Sequence, residues 1–554
     1  MWFEASFTLL LLFSSHVNGA PNREKYMPVQ RSANHPALAP IVNLGYSKYQ
    51  GIVLDSGVNE YLGMRYAEPP VGNLRWRAPQ DLRRTNMTVQ NATQVGPSCL
   101  GNSAPSPYSD AEEDCLFVNV FTPSDATPAS NLPVWFFIQG GGFAANTDPN
   151  VNGTEIVKRS NNSIVFVTVN YRVGAFGFLA SELIRRNGDL NVGLLDQRKA
   201  LRWVQRYIRL FGGNPNHVVI HGDSAGAGSV ALHMTAYGGR DDGLFIGGIC
   251  ESPFFPTHRT VNESEFQFQR FITSVGCLNA TDPIACLRSK DTATLQSADV
   301  LSPFPGAKGL PDWSFLPVVD GTFSQDRLYT LFQQGKMARV PTIVGDDTDE
   351  GTYFAANAST SAEFLEFIRS NYPSLSNNDL ECIKKTYPLM APLESRAAWF
   401  PSAAAAYGDA TFTCPGLEIS RSMAKYLSPD NTWNYRYNVM DWDNIRWGLG
   451  VPHVFEMPAI FGVGMTKPCV NCSYSTYNSP IVPIVMDYWI SFIKGLDPNR
   501  YRNPDAPYWH PFGQEQGQER RLKFQTNATA MEGIPQYQRD RCSLWKSMVS
   551  RTEQ

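Results

Sequence analysis

The chain carries His221-Gly222-Asp223-Ser224-Ala225-Gly226-Ala227-Gly228 between two segments of different character. Residues 217–220 before it are mostly β-formers and predict a strand, whereas residues 229–234 after it predict a helix. A strand that enters a helix through Gly-x-Ser-x-Gly is typical of a nucleophile elbow, a strained turn that raises its serine above the edge of a sheet. The glycines let strand and helix approach without a Cβ clash. The pattern therefore predicts that Ser224 is a nucleophile.

The composition predicts a globular chain with an ample core. The 554 residues are 43% hydrophobic and 18% charged, and the formal net charge is −4. A slightly acidic chain lacks the basic surface with which proteins bind nucleic acid or anionic membranes. We therefore expect no nucleic acid as a partner, and the motifs described below predict a small-molecule substrate instead.

The first residues predict a secretory signal peptide. An apolar run at residues 7–13 is followed by a polar stretch and by Gly19-Ala20-Pro21. Cleavage is expected after Gly19, because Pro21 disfavours a cut after Ala20. The run is too short to span a bilayer. We expect a signal peptide over residues 1–19 and a secreted mature chain, residues 20–554, that forms a single domain without membrane insertion.

Sequons and cysteines agree with secretion. The chain has ten cysteines and nine Asn-x-Ser/Thr sequons, and both features are typical of proteins matured in an oxidising compartment. Cys469 and Cys472 are close enough in sequence to pair locally. The candidate glycosylation sites are Asn86, Asn91, Asn152, Asn161, Asn262, Asn279, Asn357, Asn471 and Asn527.

Apolar runs of strand length alternate with helical patterns along the chain. A helix is expected over Leu195–Leu210, ended by the glycines that follow, and another over residues 483–493. Such alternation predicts an α/β fold, with a mostly parallel sheet covered by helices on both faces. The expected strands are residues 115–120, 133–138, 164–169, 218–220, 246–250, 341–345 and 433–439.

A triple glycine follows the strand predicted at residues 133–138, in Gln139-Gly140-Gly141-Gly142-Phe143. Glycines at this place free backbone N–H groups to point at a developing negative charge. Together with the N–H of Ala225, those of Gly141 and Gly142 are expected to form a three-donor oxyanion hole.

A serine nucleophile also needs a base and an acid, which follow it along the chain in elbow enzymes. Histidines on the elbow strand and on the following helix cannot reach over the serine, so the candidates for the base are His258, His453 and His510. His453 lies in a glycine- and proline-rich loop, whereas His510 could equally be a packed surface residue. The candidate acids lie in residues 344–351, where the pattern alone does not choose among Asp346, Asp347, Asp349 and Glu350.

The chain resembles the type-B carboxylesterases, the carboxylesterase/cholinesterase family of α/β hydrolases, and especially the secreted esterases of filamentous fungi. The resemblance implies an α/β-hydrolase fold with large loop and helix insertions. It rests on residues 63–70 (Gly-Met-Arg-Tyr-Ala-Glu-Pro-Pro), 113–116 (Glu-Asp-Cys-Leu), 140–143, 170–174 (Asn-Tyr-Arg-Val-Gly), 191–197 (Asn-Val-Gly-Leu-Leu-Asp-Gln), the elbow, 349–351 (Asp-Glu-Gly) and the His453 loop.

The same resemblance implies roles for individual residues. It implies that Glu350 is the acid and His453 the base. It also implies that Ser252 supports this pair without contacting the substrate. It also implies the ion pairs Arg65–Glu113 and Arg172–Asp196, and an enzyme that requires neither a metal nor an organic cofactor. Three disulfides are implied: Cys99–Cys115, Cys277–Cys286 and Cys414–Cys542. Cys250 is expected to be buried and free, and Cys382 is left unassigned.

The loop of residues 100–114 indicates the class of ester. In lipases of the family, the corresponding disulfide loop holds an amphipathic lid, and in cholinesterases it carries a tryptophan that binds choline. Here the loop is polar and has no tryptophan. The expected activity is hydrolysis of short- to medium-chain carboxylic esters, with Phe143, Phe254 and Phe255 bordering the acyl chain. The alternatives are lipase-like activity on longer acylglycerols and, less favoured because the serine, acid, histidine and triple glycine are all kept, a binding or adhesion protein without catalysis.

Overall fold

Thirteen strands within the described residues belong to one sheet. The computed structural model describes residues 37–83, 88–102, 111–147, 149–513 and 519–554. The strands are β1 (Ala37–Asn43), β2 (Lys48–Val53), β3 (Val58–Arg65), β4 (Val89–Asn91), β5 (Phe117–Pro123), β6 (Leu132–Ile138), β7 (Val165–Val169), β8 (Gly213–Asp223), β9 (Gly247–Glu251), β10 (Thr342–Asp347), β11 (Thr432–Tyr437), β12 (Arg520–Phe524) and β13 (Ala530–Gly533).

The middle of the sheet is parallel. Its order is β1-β2-β3-β5-β7-β6-β8-β9-β10-β11-β12-β13, and β4 pairs with β2 at one side. Every neighbouring pair from β7 to β12 in this order is parallel. The pairs β2–β3, β3–β5, β5–β7 and β12–β13 are antiparallel. The carboxyl ends of β8, β9, β10 and β11 consequently lie side by side at one edge.

Both faces of the central strands are buried. Val134, Phe136 and Ile138 of β6 pack into the core on one face, while the alternating Trp135 and Phe137 pack into the core on the other. Continuous apolar runs in the sequence follow from this arrangement, since neither face of a central strand meets water.

Helices supply both cores. The helix of the elbow packs Val230 and Met234 against one face, whereas Val485 and Trp489 of a late helix pack against the other. The predicted α/β fold, with a mostly parallel sheet between two helical layers, is confirmed. The α-helices are α1 (Thr154–Arg159), α2 (Gly174–Phe178), α3 (Glu182–Asn187), α4 (Val192–Tyr207), α5 (Ala225–Gly239), α6 (Val261–Ser274), α7 (Pro283–Ser289), α8 (Thr292–Ala298), α9 (Leu328–Gln333), α10 (Ser361–Asn371), α11 (Asn377–Thr386), α12 (Phe400–Gly408), α13 (Cys414–Tyr426), α14 (Trp442–Arg446), α15 (Met457–Phe461), α16 (Ile481–Gly495), α17 (Gln536–Ser547) and α18 (Val549–Thr552).

The boundaries on either side of Gly212 are among those that differ from the prediction. The helix expected to reach Leu210 ends at Tyr207 and continues as a 3₁₀ turn, Ile208–Phe211, before Gly212 turns the chain at φ +85°. The strand that follows begins at Gly213, five residues before the apolar run that predicted it. The reason is that this strand enters the sheet through polar residues, which periodicity cannot distinguish from a loop.

Residues Leu38–Gln554 form one compact unit. Within the described ranges, no helix is long and apolar enough to cross a membrane. The predicted signal peptide, residues 1–19, lies outside the described residues, as do Asn86 and residues 103–110 of the loop discussed above.

Four disulfides join the described cysteines. The three predicted pairings are present, together with Cys469–Cys472. Cys414–Cys542 spans 128 residues and ties α13 to α17, so on the loop-entropy model it stabilises the fold by about 4–5 kcal/mol. Cys250 is buried and free, as expected, and Cys382 is free and exposed.

One predicted ion pair is present and the other is wrong. Arg172 pairs with the buried Asp196 at 2.7 Å, which ties the segment after β7 to α4. Arg65 pairs with Asp114 at 2.5 Å, and the neighbouring Glu113 pairs with Arg75 instead. Adjacent acidic residues point to different sides of an extended chain, and sequence alone does not say which one faces the arginine.

Candidate active site

Ser224 occupies a strained turn between β8 and α5. Its backbone has φ +56° and ψ −121°, and a non-glycine residue is held in such a conformation only by its surroundings. A Cβ on Gly222 would lie 2.2 Å from the carbonyl carbon of Gly226, and one on Gly226 would lie 1.9 Å from the oxygen of Ile138. Both glycines are therefore required for strand and helix to approach closely, as the elbow pattern predicts.

The triple-glycine loop lies against this turn. The N–H of Gly140 donates to Asp223 Oδ1 at 2.8 Å, and a Cβ on Gly140 would be 2.9 Å from the Cβ of Ser224. Gly141 and Gly142 have φ of +112° and +63°, and among the described residues neither N–H donates to another backbone group. The structure thus places the triple-glycine loop beside Ser224, whose following residue, Ala225, begins α5.

Glu350 and His453 are joined by a direct hydrogen bond. Glu350 Oε2 accepts from His453 Nδ1, and Glu350 Oε1 accepts from Ser252 Oγ at 2.6 Å and from the N–H of Asp347 at 2.7 Å. All three side chains are at least 95% buried. Both oxygens of the carboxylate are therefore occupied, which fixes the plane of the carboxylate and the orientation of the imidazole.

The second ring nitrogen of His453 is available for chemistry. Nε2 is buried and has no hydrogen-bond partner within the described residues. The ring lies between Phe412 and Phe354, with centroid distances of 4.3 and 5.2 Å. A buried imidazole whose Nδ1–H is held by a carboxylate presents Nε2 as a proton acceptor.

The strand register explains how these groups come together. Asp223 at the end of β8 pairs with Glu251 at the end of β9, and Glu251 pairs with Gly345 of β10. Ser224, Ser252 and the loop that carries Glu350 therefore begin at three neighbouring carboxyl ends of parallel strands. Ligand sites of open α/β sheets are found at this edge.

The other candidate bases lie elsewhere. His258 is buried beside Ser324 Oγ at 3.2 Å, and burial lowers its pKa to about 4. His510 is exposed, with its ring 4.9 Å from that of Tyr508. Neither makes a hydrogen bond with a carboxylate in the described part of the chain.

The other candidate acids have structural partners. Asp346 accepts from Thr413 Oγ1 at 2.8 Å, and burial raises its pKa to about 7. Asp349 accepts from the N–H of Val451 at 2.9 Å, so it holds the histidine loop rather than the ring. Of the four carboxyl groups, the one that contacts His453 is Glu350.

An aromatic cluster lines the site, and sequence reasoning found only part of it. Phe143, at φ +58°, is buried against Phe178 and Phe254, and Phe254 contacts Phe412, which in turn contacts His453. Phe255, by contrast, packs against Tyr329 and Phe332, on the core side of its segment.

Trp313 is one of the residues of this cluster that the sequence did not indicate. Its ring covers Gly142, since a Cβ on that glycine would lie 2.0 Å from Cζ3, and it contacts Phe254 and Phe354. Its Nε1–H donates to the hydroxyl of Tyr407 at 3.1 Å, which fixes the ring. Trp313 lies in an irregular segment without periodicity, so no local pattern could have placed it near the oxyanion loop.

Comparison with known proteins gives one family. A model of the carboxylesterase family matches residues 39–545. The crystal structure of EstA from Aspergillus niger is 55% identical with a TM-score of 0.91, and the match covers 93% of this chain and 99% of that one. Secreted lipase 1 of Botryotinia fuckeliana (strain B05.10) is 32% identical, over 90% of this chain and 91% of its own. Cholinesterase of Mus musculus is 32% identical, over 81% of this chain and 77% of its own.

The family match spans most of the chain, and the fold agrees with a solved structure over nearly its whole length. The resemblance noted in the sequence is confirmed. This chain belongs to the carboxylesterase family and is a carboxylic ester hydrolase.

Proposed function

We propose that the chain hydrolyses short- to medium-chain carboxylic esters through an acyl-enzyme on Ser224. The observation that carries this proposal is the hydrogen bond between Glu350 and His453 Nδ1. The other ring nitrogen, Nε2, has no partner among the described residues, and the ring lies at the edge of the sheet where Ser224 lies. A nucleophile, a base and an acid that orients the base make up the machinery of serine acyl transfer.

In the first half-reaction, His453 Nε2 takes the proton of Ser224 Oγ while that oxygen bonds to the ester carbonyl carbon. The carbonyl oxygen becomes an oxyanion that accepts from the N–H groups of Gly141, Gly142 and Ala225. Glu350 stabilises the imidazolium. The bond between the carbonyl carbon and the alkoxy oxygen then breaks, and His453 gives its proton to the departing alcohol.

In the second half-reaction, water replaces the serine as nucleophile. His453 removes its proton as it attacks the acyl carbon, and the proton returns to Ser224 Oγ when the acyl–serine bond breaks. The products are one carboxylic acid and one alcohol, with the enzyme restored. Neither a metal nor an organic cofactor enters these steps.

The preference for short acyl chains rests on the aromatic cluster. Trp313 covers the oxyanion glycine Gly142, and Phe254 stands between Trp313 and Phe412. Bulky rings beside the reacting carbonyl limit the length of the acyl group that fits. The alternative, a lipase acting on long-chain acylglycerols, is favoured by the name of Secreted lipase 1, a relative of similar length.

Two measurements separate these functions. Rates on p-nitrophenyl esters of increasing chain length should be highest for short and medium acyl groups, and Ser224→Ala should abolish them. Rate against concentration for a short ester, carried through its solubility limit, should saturate without a jump. A maximum at long chains together with a sharp rise when droplets form would establish the lipase instead.

We also propose that the protein is secreted and glycosylated. Seven of the eight described sequon asparagines are exposed, and Asn152 is half-buried. Four disulfides in one chain are typical of an oxidising compartment. N-terminal sequencing of the protein recovered from culture medium should begin at Ala20. The mass of the same protein should fall after enzymatic deglycosylation.

A further inference from the structure

A second contact joins the loops that carry Glu350 and His453, beneath the contact between those two side chains. Asp347 lies three residues before Glu350, and Glu456 lies three residues after His453. Neither Asp347 nor Glu456 has measurable exposure, and the two carboxyl groups lie close enough to interact with each other. The acid loop and the histidine loop are therefore connected twice.

The hydrogen bonds around this pair leave one oxygen of each carboxyl group without a donor. Asp347 Oδ2 accepts from the N–H of Phe455 at 3.2 Å, and Glu456 Oε1 accepts from the hydroxyl of Tyr435 at 3.0 Å. The remaining oxygens, Asp347 Oδ1 and Glu456 Oε2, are buried and meet no other donor among the described residues. Two carboxylates cannot hydrogen-bond without a proton, and buried oxygens without a donor are costly.

The surroundings oppose a second ionisation. The charged groups that act most strongly on Asp347 are Glu456, Glu350 and Glu251, and all three are carboxyl groups. Burial in their company raises the pKa of Asp347 well above its usual range. Tyr435, Tyr437 and Tyr474 also interact electrostatically with the pair, and burial holds their hydroxyls neutral by raising their pKa values.

His221 brings no compensating positive charge. Its Nδ1 accepts from Trp135 Nε1 at 3.1 Å, so the ring is neutral and its Nε2–H donates to Glu251 Oε2 at 2.8 Å. Burial lowers the pKa of His221 to about 3, in agreement with that assignment.

We infer that Asp347 and Glu456 share one proton and act as positioning residues, tying the loop of Glu350 to the loop of His453. The inference rests on the proposed roles of Glu350 and His453. While the pair holds its proton, the hydrogen bond keeps the two loops together. When the proton leaves at alkaline pH, two like charges face each other at hydrogen-bond distance, which separates the loops and lowers turnover.

The test replaces each carboxyl group by the amide that imitates its protonated form. In Asp347→Asn, the amide oxygen can accept from Phe455 and the amide nitrogen can donate to Glu456, and no proton can be lost. We expect kcat at neutral pH within about twofold of the wild type and an alkaline decline that moves to higher pH or disappears. Glu456→Gln should behave in the same way.

Asp347→Ala leaves Glu456 without a donor, so kcat should fall by about tenfold or more, with a smaller change in KM. The control is Asp299→Asn, which changes another buried carboxyl group whose pKa burial raises to about 7 but which accepts from the N–H of Ala175. Its pH profile should follow that of the wild type.

An infrared difference spectrum at neutral pH gives a readout that does not depend on activity. Wild type minus Asp347→Asn should show the carbonyl stretch of one protonated carboxyl group. The inference is wrong if that band is missing, if the wild type shows no alkaline decline, or if the amide variants keep the decline unchanged. Labelling of the wild type at Ser224 by a fluorophosphonate is measured first, because its failure would overturn the proposed function rather than the pairing.

Discussion

Ser252 Oγ donates a 2.6 Å hydrogen bond to Glu350 Oε1, the carboxylate oxygen opposite the one that receives His453 Nδ1. Ser252 is fully buried and has φ +53°, so its place at the end of β9 is imposed by the fold. The hydroxyl and the imidazole thus approach one carboxylate from two sides, and the first contact orients the second.

Replacing Ser252 by alanine should therefore lower turnover more than binding. A hydrogen bond to a charged group contributes about 1.5–3 kcal/mol, which corresponds to a decrease in kcat of about 10- to 100-fold. Steady-state kinetics on a short ester measures it. Ser264→Ala is a matched control, since the buried hydroxyl of Ser264 in α6 donates to the backbone oxygen of Thr260 just before that helix. Equal kcat values for the two variants would mean that the Ser252 contact does not orient the acid.

The identity of the base is tested by replacing two histidines, the buried His453 and the exposed His510. His453→Gln removes the imidazole that contacts Glu350 and should lower kcat by about 10³-fold or more. His510→Gln changes an exposed ring and should leave kcat within about twofold of the wild type. The kinetics of the two variants, with circular dichroism to confirm folding, decides the assignment. A larger loss of kcat in the His510 variant would show that the base has been assigned to the wrong loop.

Trp313 is predicted to set the acyl length. Trp313→Ala removes the ring over Gly142, so the acyl group with the highest kcat/KM should become longer by several carbons. Phe255→Leu serves as the control, because that ring packs against Tyr329 and Phe332 and its loss should reduce stability without shifting the preference. Rates on a series of p-nitrophenyl esters provide the measurement. An unchanged preferred acyl length in the Trp313 variant would show that another residue limits the length of the acyl group.

Asp346 gives a pH dependence of stability whose sign can be worked out. Burial raises its pKa from 3.8 to about 7, so the native state keeps a proton that the unfolded state loses. The free energy of unfolding therefore falls as pH rises from about 4 to about 7, by up to about 1.4 kcal/mol per pH unit, and is level above that range.

Asp346→Asn removes this pH-dependent loss of stability and keeps an oxygen that accepts from Thr413. Its stability relative to the wild type should rise between about pH 5 and about pH 8, and denaturant unfolding at the two pH values measures the difference. The same relative stability at both values would show that Asp346 is ionised in the native state.

The sequence predicted those parts of the site that depend on local geometry. The elbow at Ser224 and the glycines at 140–142 are short segments whose backbone conformations only certain residues allow, and so their patterns are visible in isolation. The parallel core was predicted because strands buried on both faces must be apolar throughout. Local pattern alone left four carboxyl groups and three histidines open, and the resemblance to the family pointed to the pair that the structure brings into contact.

What the sequence missed depends on contacts between distant segments. Trp313 lies 171 positions after Gly142, and no periodicity in the sequence predicts that the two residues are in contact. The partner of Arg65 was wrong by one residue, because the choice between Glu113 and Asp114 is made by the direction of an extended segment. The shared proton of Asp347 and Glu456 depends on burial on every side, which the acidic letters of residues 346–350 did not reveal.

The central claim is that Ser224 is the nucleophile, and the most direct test is to find which residue a fluorophosphonate modifies. The native enzyme is inactivated with the probe, digested, and the adduct located by peptide mass spectrometry. We expect one adduct, on Ser224, formed in step with the loss of ester hydrolysis, and none on Ser224→Ala. Complete inactivation with the adduct on another residue, or a folded Ser224→Ala variant that still hydrolyses esters at the wild-type rate, would contradict the assignment.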